Sequence, residues 1–244
     1  MGSAGSAILT FHSLDDSGSV LSIPPDRFRD QMQWVADSGI RVAPLAETPN
    51  ISGAIALTFD DGFRNFHRHG LAILQKHRMP ATVFIVTGYC GRRNRWPGQS
   101  PASPELELMS WTELRELDAL GIELGAHTVN HPNLARLTES QVAGELLDCK
   151  SAIEDRTGKP VPSFAYPYGA SNPAVRQRVG QHFQIACGTT LRFAGPESDP
   201  LDLPRIDAYY VRGMNRFQAL MTRPGERYIA ARRLFRRVRA CLSQ

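Results

Sequence analysis

The chain has 244 residues, enough for one sizeable core or a single α/β barrel. Its 42% hydrophobic and 21% charged residues exclude wholesale disorder, and no run of about 18 apolar residues exists to form a spanning helix. The formal charge of +4 is unevenly placed: residues 223–244 hold seven arginines and one glutamate, so the preceding residues sum to −2 and do not read as a nucleic-acid-binding domain.

The N-terminus, MGSAGSAILTFHSLDDSG, has no basic n-region and is not read as a signal peptide, which gives a cytoplasmic expectation. The first predicted strand is Ala7–Phe11, followed by a helix over Pro25–Ser38. Strand Ala54–Phe59 leads to helix Arg64–His77, and strand Ala81–Val86 to a long irregular stretch, Gly88–Pro104, rich in Gly, Pro, Arg and Ser. A loop of that length is usually functional or mobile. Helix Ser110–Leu120, strand Ile122–Ala126 and helix Glu139–Arg156 come next; Thr138 and Gln141 have the spacing of a capping box. Strand Ser163–Tyr166, helix Pro173–Gly180, strands Phe183–Cys187 and Arg205–Tyr209 and helix Asn215–Met221 complete the series. Several strands are apolar on both faces and alternate with helices, the pattern of a parallel sheet. Seven such units predict an α/β fold, an irregular (β/α) barrel of about seven parallel strands over residues 1–222, with a basic helical extension over 223–244.

In that extension Tyr228, Ala231, Phe235, Val238 and Leu242 recur at three- and four-residue spacing with arginines between them. Two readings follow: a terminal helix packed on the barrel with a solvated arginine face, which is favoured, or peripheral contact of Arg223–Arg239 with an anionic membrane surface at the inner face. The four cysteines, at 90, 149, 187 and 241, form no C-x-x-C pair, which argues against a disulfide framework and a cysteine zinc site.

Three pieces at strand ends carry chemistry. The strand IALTF runs into Asp60-Asp61-Gly62. Neighbouring residues of an extended strand point to opposite sides, so the two carboxylates can do different jobs where the backbone bends, as Gly62 permits; the plain alternative is an Asp-Asp-Gly turn. The strand IELGA ends in His127-Thr128-Val129-Asn130-His131. Pro132 pushes His131 away from helical geometry and no Glu follows His127, so this is a loop presenting two histidines and not a zincin helix. Two imidazoles and one carboxylate make a three-ligand zinc site with an open position; the alternative is a pair of surface histidines. Phe164-Ala165-Tyr166-Pro167-Tyr168-Gly169 places aromatics around a rigid proline, a wall for sugar stacking or an ordinary aromatic turn.

In their order and placement these pieces resemble the polysaccharide deacetylase family, carbohydrate esterases that share the chitooligosaccharide deacetylase homology domain. The resemblance covers about residues 5–210 and implies an irregular (β/α) barrel, usually of seven strands. It implies that Asp60 is a catalytic base and that Asp61, His127 and His131 hold a divalent metal, Zn²⁺ first and Co²⁺ or Ni²⁺ as other fits. The family's third motif commonly reads R-x-P-Y, its arginine steering the catalytic aspartate. Here that place is read as Tyr166, in a variant that resembles the poly-N-acetylglucosamine deacetylase branch, and Arg205 is the candidate replacement cation. No late L-x-H motif follows residue 170, and His12, ending the first strand, becomes the candidate general acid. Tyr166, Pro167 and Tyr168 are the expected substrate wall, with the Tyr168 backbone N–H as an oxyanion donor. The implied activity is hydrolysis of an N-acetyl amide on an amino sugar of a glycan or lipid-linked saccharide, with a place in exopolysaccharide biosynthesis. Hydrolysis of another C–N amide, such as a formamide or cyclic imide, and non-catalytic glycan binding are the alternatives.

Overall fold

A computed structural model describes residues 5–99 and 103–242. Seven strands are present: β1 Ala7–Phe11, β2 Ile55–Phe59, β3 Thr82–Ile85, β4 Glu123–Ala126, β5 Ser163–Ala165, β6 Ile185–Cys187 and β7 Ile206–Asp207. All pair in parallel in one curled sheet, in the order β6-β5-β4-β3-β2-β1-β7. The open seam between β6 and β7 is narrowed by the chain itself. Leu203 forms a parallel bridge with Cys187, and the Arg205 N–H donates to the Thr190 carbonyl before Ile206 joins β1. The arrangement is the irregular (β/α) barrel expected from the sequence.

Helices cover the outside: α1 Pro25–Ser38, α2 Leu71–His77, α3 Trp111–Ala119, α4 Glu139–Thr157, α5 Pro173–Gly180, α6 Met214–Ala219 and α7 Arg223–Leu242. The Thr138–Gln141 capping box starts α4, with both reciprocal hydrogen bonds present. The helix expected over Arg64–His77 is split. A π-helical turn, Phe66–Gly70, precedes α2, and a Cβ on Gly70 would come within 2.8 Å of the Phe66 ring. The last strand is shorter than Arg205–Tyr209, because Ala208–Val211 curls into a 3₁₀ turn.

Period-two alternation decides what each strand contributes. Leu9 and Phe11 of β1, Leu57 and Phe59 of β2, Val83 and Ile85 of β3 and Phe164 of β5 point outward into the main core beneath the helices. Ile8, Ala56, Phe84, Ala165 and Cys187 point inward and close the barrel floor with Leu45, Ala194 and Leu203. Continuing that inward set past the strand ends leads to His12, Asp60, His127 and the Arg205–Asp207 segment. The barrel register thus aims the polar residues of four strand ends into one mouth, where active sites of such barrels sit.

The tail helix packs on the body through Ile229, which is buried, and Tyr228, while Arg223 and Arg227 are exposed; farther along, Phe235 and Val238 are exposed too, and Arg232 and Arg236 reach Tyr210 and Thr189 of the body. The Leu242 side chain lies outside the described side chains. Among the described residues no helix is long and apolar enough to cross a membrane.

Candidate active site

A cavity of about 400 Å³ opens at the C-terminal ends of the strands, lined among others by His12, Asp60, Asp61, His127, His131 and Arg205. Asp60 extends the β2 ladder, its N–H donating to the Phe11 carbonyl at 2.9 Å. The chain then reverses: Asp61 has φ 71° and Gly62 φ 77°. The bend begins at Asp61 itself, which lets two consecutive carboxylates enter one cavity. Thr128 (φ 70°), His131 (φ 55°) and Tyr168 (φ 60°) share the left-handed region, so four of the five described non-glycine residues there line this site or its loops. Such strain costs of order 1–3 kcal/mol each and persists where surrounding bonds over-determine it.

Those bonds are present around the histidine loop. The His131 N–H donates to Thr128 Oγ1 at 2.9 Å. Glu145 of α4 accepts from the Val129 N–H at 2.8 Å, the Asn130 N–H at 2.9 Å and the Asn130 side-chain amide at 2.7 Å. The Gly88 N–H donates to the Val129 carbonyl, and a Cβ on Gly88 would lie 2.6 Å from that oxygen. Trp96, from the long Gly88–Pro104 loop, packs its ring 4.5 Å from that of His131, and Tyr168 packs at 4.6 Å. Sequence reasoning missed Glu145, Trp96 and the glycine contact.

Asp61, His127 and His131 offer ligand atoms that all lie within 4.8 Å of one another, and all three residues are buried. Asp61 Oδ1 faces His127 Nε2 at 3.4 Å and His131 Nε2 at 3.3 Å. Two ligands about 2.1 Å from a tetrahedral ion stand at about that separation. His127 Nδ1 donates to the Ala165 carbonyl at 2.7 Å, so in the neutral ring the lone pair on Nε2 points at a carboxylate oxygen. Asp61 Oδ1, the oxygen that faces both rings, is buried with no hydrogen-bond partner. An orphaned carboxylate oxygen set between two imidazole nitrogens fits a cation held between the three side chains, with the Ala165 carbonyl orienting one ligand ring. The three described thiols, Cys90, Cys149 and Cys187, lie outside this cluster, and burial pushes them up to about 12.

Asp60 has a different partner. Arg205 Nη1 and Nη2 donate to its two carboxylate oxygens at 2.7 Å each, Nη1 reaches Thr58 Oγ1 at 3.3 Å, and Nε donates to the Gly188 carbonyl at 3.0 Å. Burial works to raise the Asp60 carboxyl, but the bidentate guanidinium outweighs it and holds the group below the usual carboxylate range. Asp61 is likewise held well below the usual carboxylate range: burial again opposes, and the two histidines outweigh it.

Counting back from Pro167-Tyr168 puts Ala165, not Tyr166, where the R of R-x-P-Y would stand. Ala165 belongs to the inward set and presents only a methyl there, while Arg205 arrives from the seam with its guanidinium 5.7 Å over the Phe84 ring. Tyr166 belongs to the outward set. It is buried and its hydroxyl donates to the Leu201 carbonyl at 2.8 Å, so its backbone edge and not its phenol meets the cavity. Pro167 is buried too, and Tyr168, 51% exposed, is the aromatic of the motif that faces the opening. The Tyr168 N–H has no acceptor among the described residues. His12 lies half-buried on the cavity wall at the end of β1. It is not one of the three clustered ligand residues.

Residues 48–183 match the family model described as polysaccharide deacetylase. The chain is 25% identical over 173 residues to YxkH of Bacillus subtilis (strain 168), covering 68% of this chain and 57% of that protein. It is 25% identical over 206 residues to the poly-beta-1,6-N-acetyl-D-glucosamine N-deacetylase of Staphylococcus aureus (strain MRSA252), covering 76% of this chain and 67% of that one. Among solved structures, IcaB from Ammonifex degensii superposes with a TM-score of 0.73 at 23% identity, covering 91% of this chain and 97% of that chain. The Streptococcus pyogenes deacetylase PplD, solved with acetate, gives 0.72 at 23% identity, covering 84% of this chain and 92% of the other. The last two matches show a shared fold.

Proposed function

The chain belongs to the polysaccharide deacetylase family, and from that premise we propose that it hydrolyses the N-acetyl amide of an amino sugar in a glycan or lipid-linked saccharide, releasing acetate with the help of a bound divalent metal. One observation carries the reading: within a single buried mouth, a carboxylate kept ionised by a bidentate arginine adjoins a three-ligand cluster whose lone pairs converge. The Staphylococcus aureus relative, whose named substrate is poly-β-1,6-N-acetyl-D-glucosamine, supports the substrate class.

Asp61, His127 and His131 would hold the metal. A zinc-class ion bound there lowers the pKa of water and polarises a carbonyl oxygen. Asp60 accepts the proton of the water that attacks the acetamide carbon. Its depressed pKa keeps it in the basic form, and Arg205 fixes the orientation of both oxygens. The Tyr168 N–H is free to donate to the carbonyl oxygen as negative charge builds on it. His12, across the cavity wall, gives a proton to the departing nitrogen. The balance is one water consumed, a C–O bond formed, the C–N bond broken, and free amine and acetate produced. Tyr168, half exposed at the opening, offers aromatic surface on which a sugar ring stacks, and the buried Trp96 backs His131 beneath it.

The test is acetate release from a panel of N-acetylated glycans set beside formamide and cyclic-imide substrates. Release from the acetylated sugars, lost in Asp60→Asn, is the expected result. Turnover of the small amides alone would replace this reading with the other C–N hydrolase, and binding of glycan without any release would favour a lectin-like relative.

A further inference from the structure

Helix α7 turns an unexpected side to solvent. Gly225 and Ile229 are buried, and the Tyr228 hydroxyl donates to the Tyr210 carbonyl at 3.0 Å. The Arg232 guanidinium lies 4.9 Å over the Tyr210 ring, and Arg236 Nη1 donates to the Thr189 carbonyl at 3.3 Å. These positions, three and four residues apart, form the face set against the body. The opposite face carries Arg227, Ala231, Leu234, Phe235 and Val238, all exposed, with Leu234 at 63%, Phe235 at 69% and Val238 at 49%. The first turns, with Tyr228 and Ile229 inward and Arg227 outward, follow the pattern of a helix packed on the barrel, but the later turns depart from it, with Leu234, Phe235 and Val238 outward and Arg232 and Arg236 against the body. A lone exposed leucine is ordinary, but a leucine, a phenylalanine and a valine within two turns of one face form a contiguous stripe.

Charge and shape decide what fits the stripe. The extension holds seven arginines against one glutamate. A two-fold contact with a second copy would set this helix against its own image and bring like charges together, which disfavours self-pairing. An anionic surface is complementary to it. The stripe also stands on a convex helix, and Leu234, Phe235 and Val238 line none of the principal cavities among the described residues. A flat lipid surface needs no groove: apolar side chains enter the acyl boundary while neighbouring guanidiniums meet phosphates. We propose that α7 docks the protein on an anionic lipid bilayer, with Leu234, Phe235 and Val238 inserted. Arg236, in the same turns, lines the catalytic cavity. Docking therefore brings the cavity rim within roughly one helix diameter, about 10–12 Å, of the lipid surface, where a saccharide attached to lipid is presented.

The experiment is co-sedimentation of the full chain with vesicles of phosphatidylcholine alone and of phosphatidylcholine with one-third phosphatidylglycerol, across a salt series. The wild type is expected to bind the anionic vesicles, less so as salt rises. The triple change Leu234→Ser, Phe235→Ser and Val238→Ser should lower partitioning roughly 10- to 100-fold, with an unchanged melting curve. Three results would overturn the proposal. One is no binding of the wild type to anionic vesicles; another is undiminished binding of the triple variant, which would leave the arginines alone responsible. The third is a wild-type dimer by light scattering that the triple change converts to monomer, which would make the stripe a contact between copies. The readout is partitioning, so it stands apart from the hydrolytic reading.

Discussion

Replacing Arg205 by alanine isolates the group that makes Asp60 a base. Both partners are buried, Arg205 at 3% and Asp60 at 4% exposure, and their two contacts are 2.7 Å each. Removing one member of such a pair strands the other, at a cost of about 3–5 kcal/mol. For a domain of this size each kcal/mol moves Tm by roughly 2–4 °C, so a fall of about 6–20 °C is expected at pH 8. The pH dependence carries the sign. With Arg205 present, Asp60 lies below its ordinary pKa, so its contribution to stability is full above the unfolded-state value near 4 and is lost as pH falls through the folded value. Without Arg205, burial dominates and lifts the carboxyl above its unfolded value. The penalty is then small below pH 4 and grows as pH rises through the new folded value, because the buried group protonates at low pH and relieves itself. Thermal melts of wild type and variant at pH 5 and pH 8 read this difference directly. In the same variant the acid limb of the kcat/KM profile should move to higher pH. A double-mutant cycle with Asp60→Asn should show a coupling above about 2 kcal/mol, as for residues in direct contact. Equal destabilisation at both pH values together with an unmoved acid limb would refute the assignment of Arg205 as the partner that keeps Asp60 ionised.

Three further changes probe the rest of the mouth. His12→Ala should lower kcat by roughly 10²–10³-fold and leave the metal content of the purified protein unchanged, because a proton donor acts on rate and not on ligation; loss of metal would recast His12 as a ligand. His127→Ala should abolish metal retention, measured by elemental analysis, with the fold preserved by circular dichroism. Glu145→Ala removes three hydrogen bonds from the histidine loop and should weaken metal affinity roughly 10- to 100-fold in a competitive chelator titration; unchanged affinity would show that the loop holds its shape without it.

Local pattern carried much of this structure. The boundaries of β1, α1 and α5 coincide with those expected from apolar runs and from proline at the helix start. The Asp-Asp-Gly turn and the two-histidine loop were recognisable because each follows a buried strand, and Arg205 could be proposed because Asp60 needed a cation. What escaped the sequence is nonlocal. Glu145 sits on an amphipathic helix like any exposed acid, and only the packing of α4 on β4 brings it to the loop. Trp96 lies in a stretch with no periodicity, so nothing in the chain ties it to His131 before folding. Tyr166 follows β5 on the outward phase of its alternation, and that single step of register sends its phenol to Leu201 and leaves the inward place to Ala165. In the tail, periodicity shows that a helix has two faces but not how the body divides them: Ile229 and Tyr228 face the body as expected, and Tyr210 and Thr189 also take Arg232 and Arg236.

Metal-dependent amide hydrolysis at this mouth is tested most directly by titrating a divalent cation into chelator-stripped protein while following acetate release from N-acetylglucosamine oligomers. Activity rising in proportion to bound metal and saturating at one ion per chain, in the wild type and not in His127→Ala, is the predicted result. Acetate release that persists undiminished in fully stripped protein, or that the His127→Ala protein matches, would contradict it.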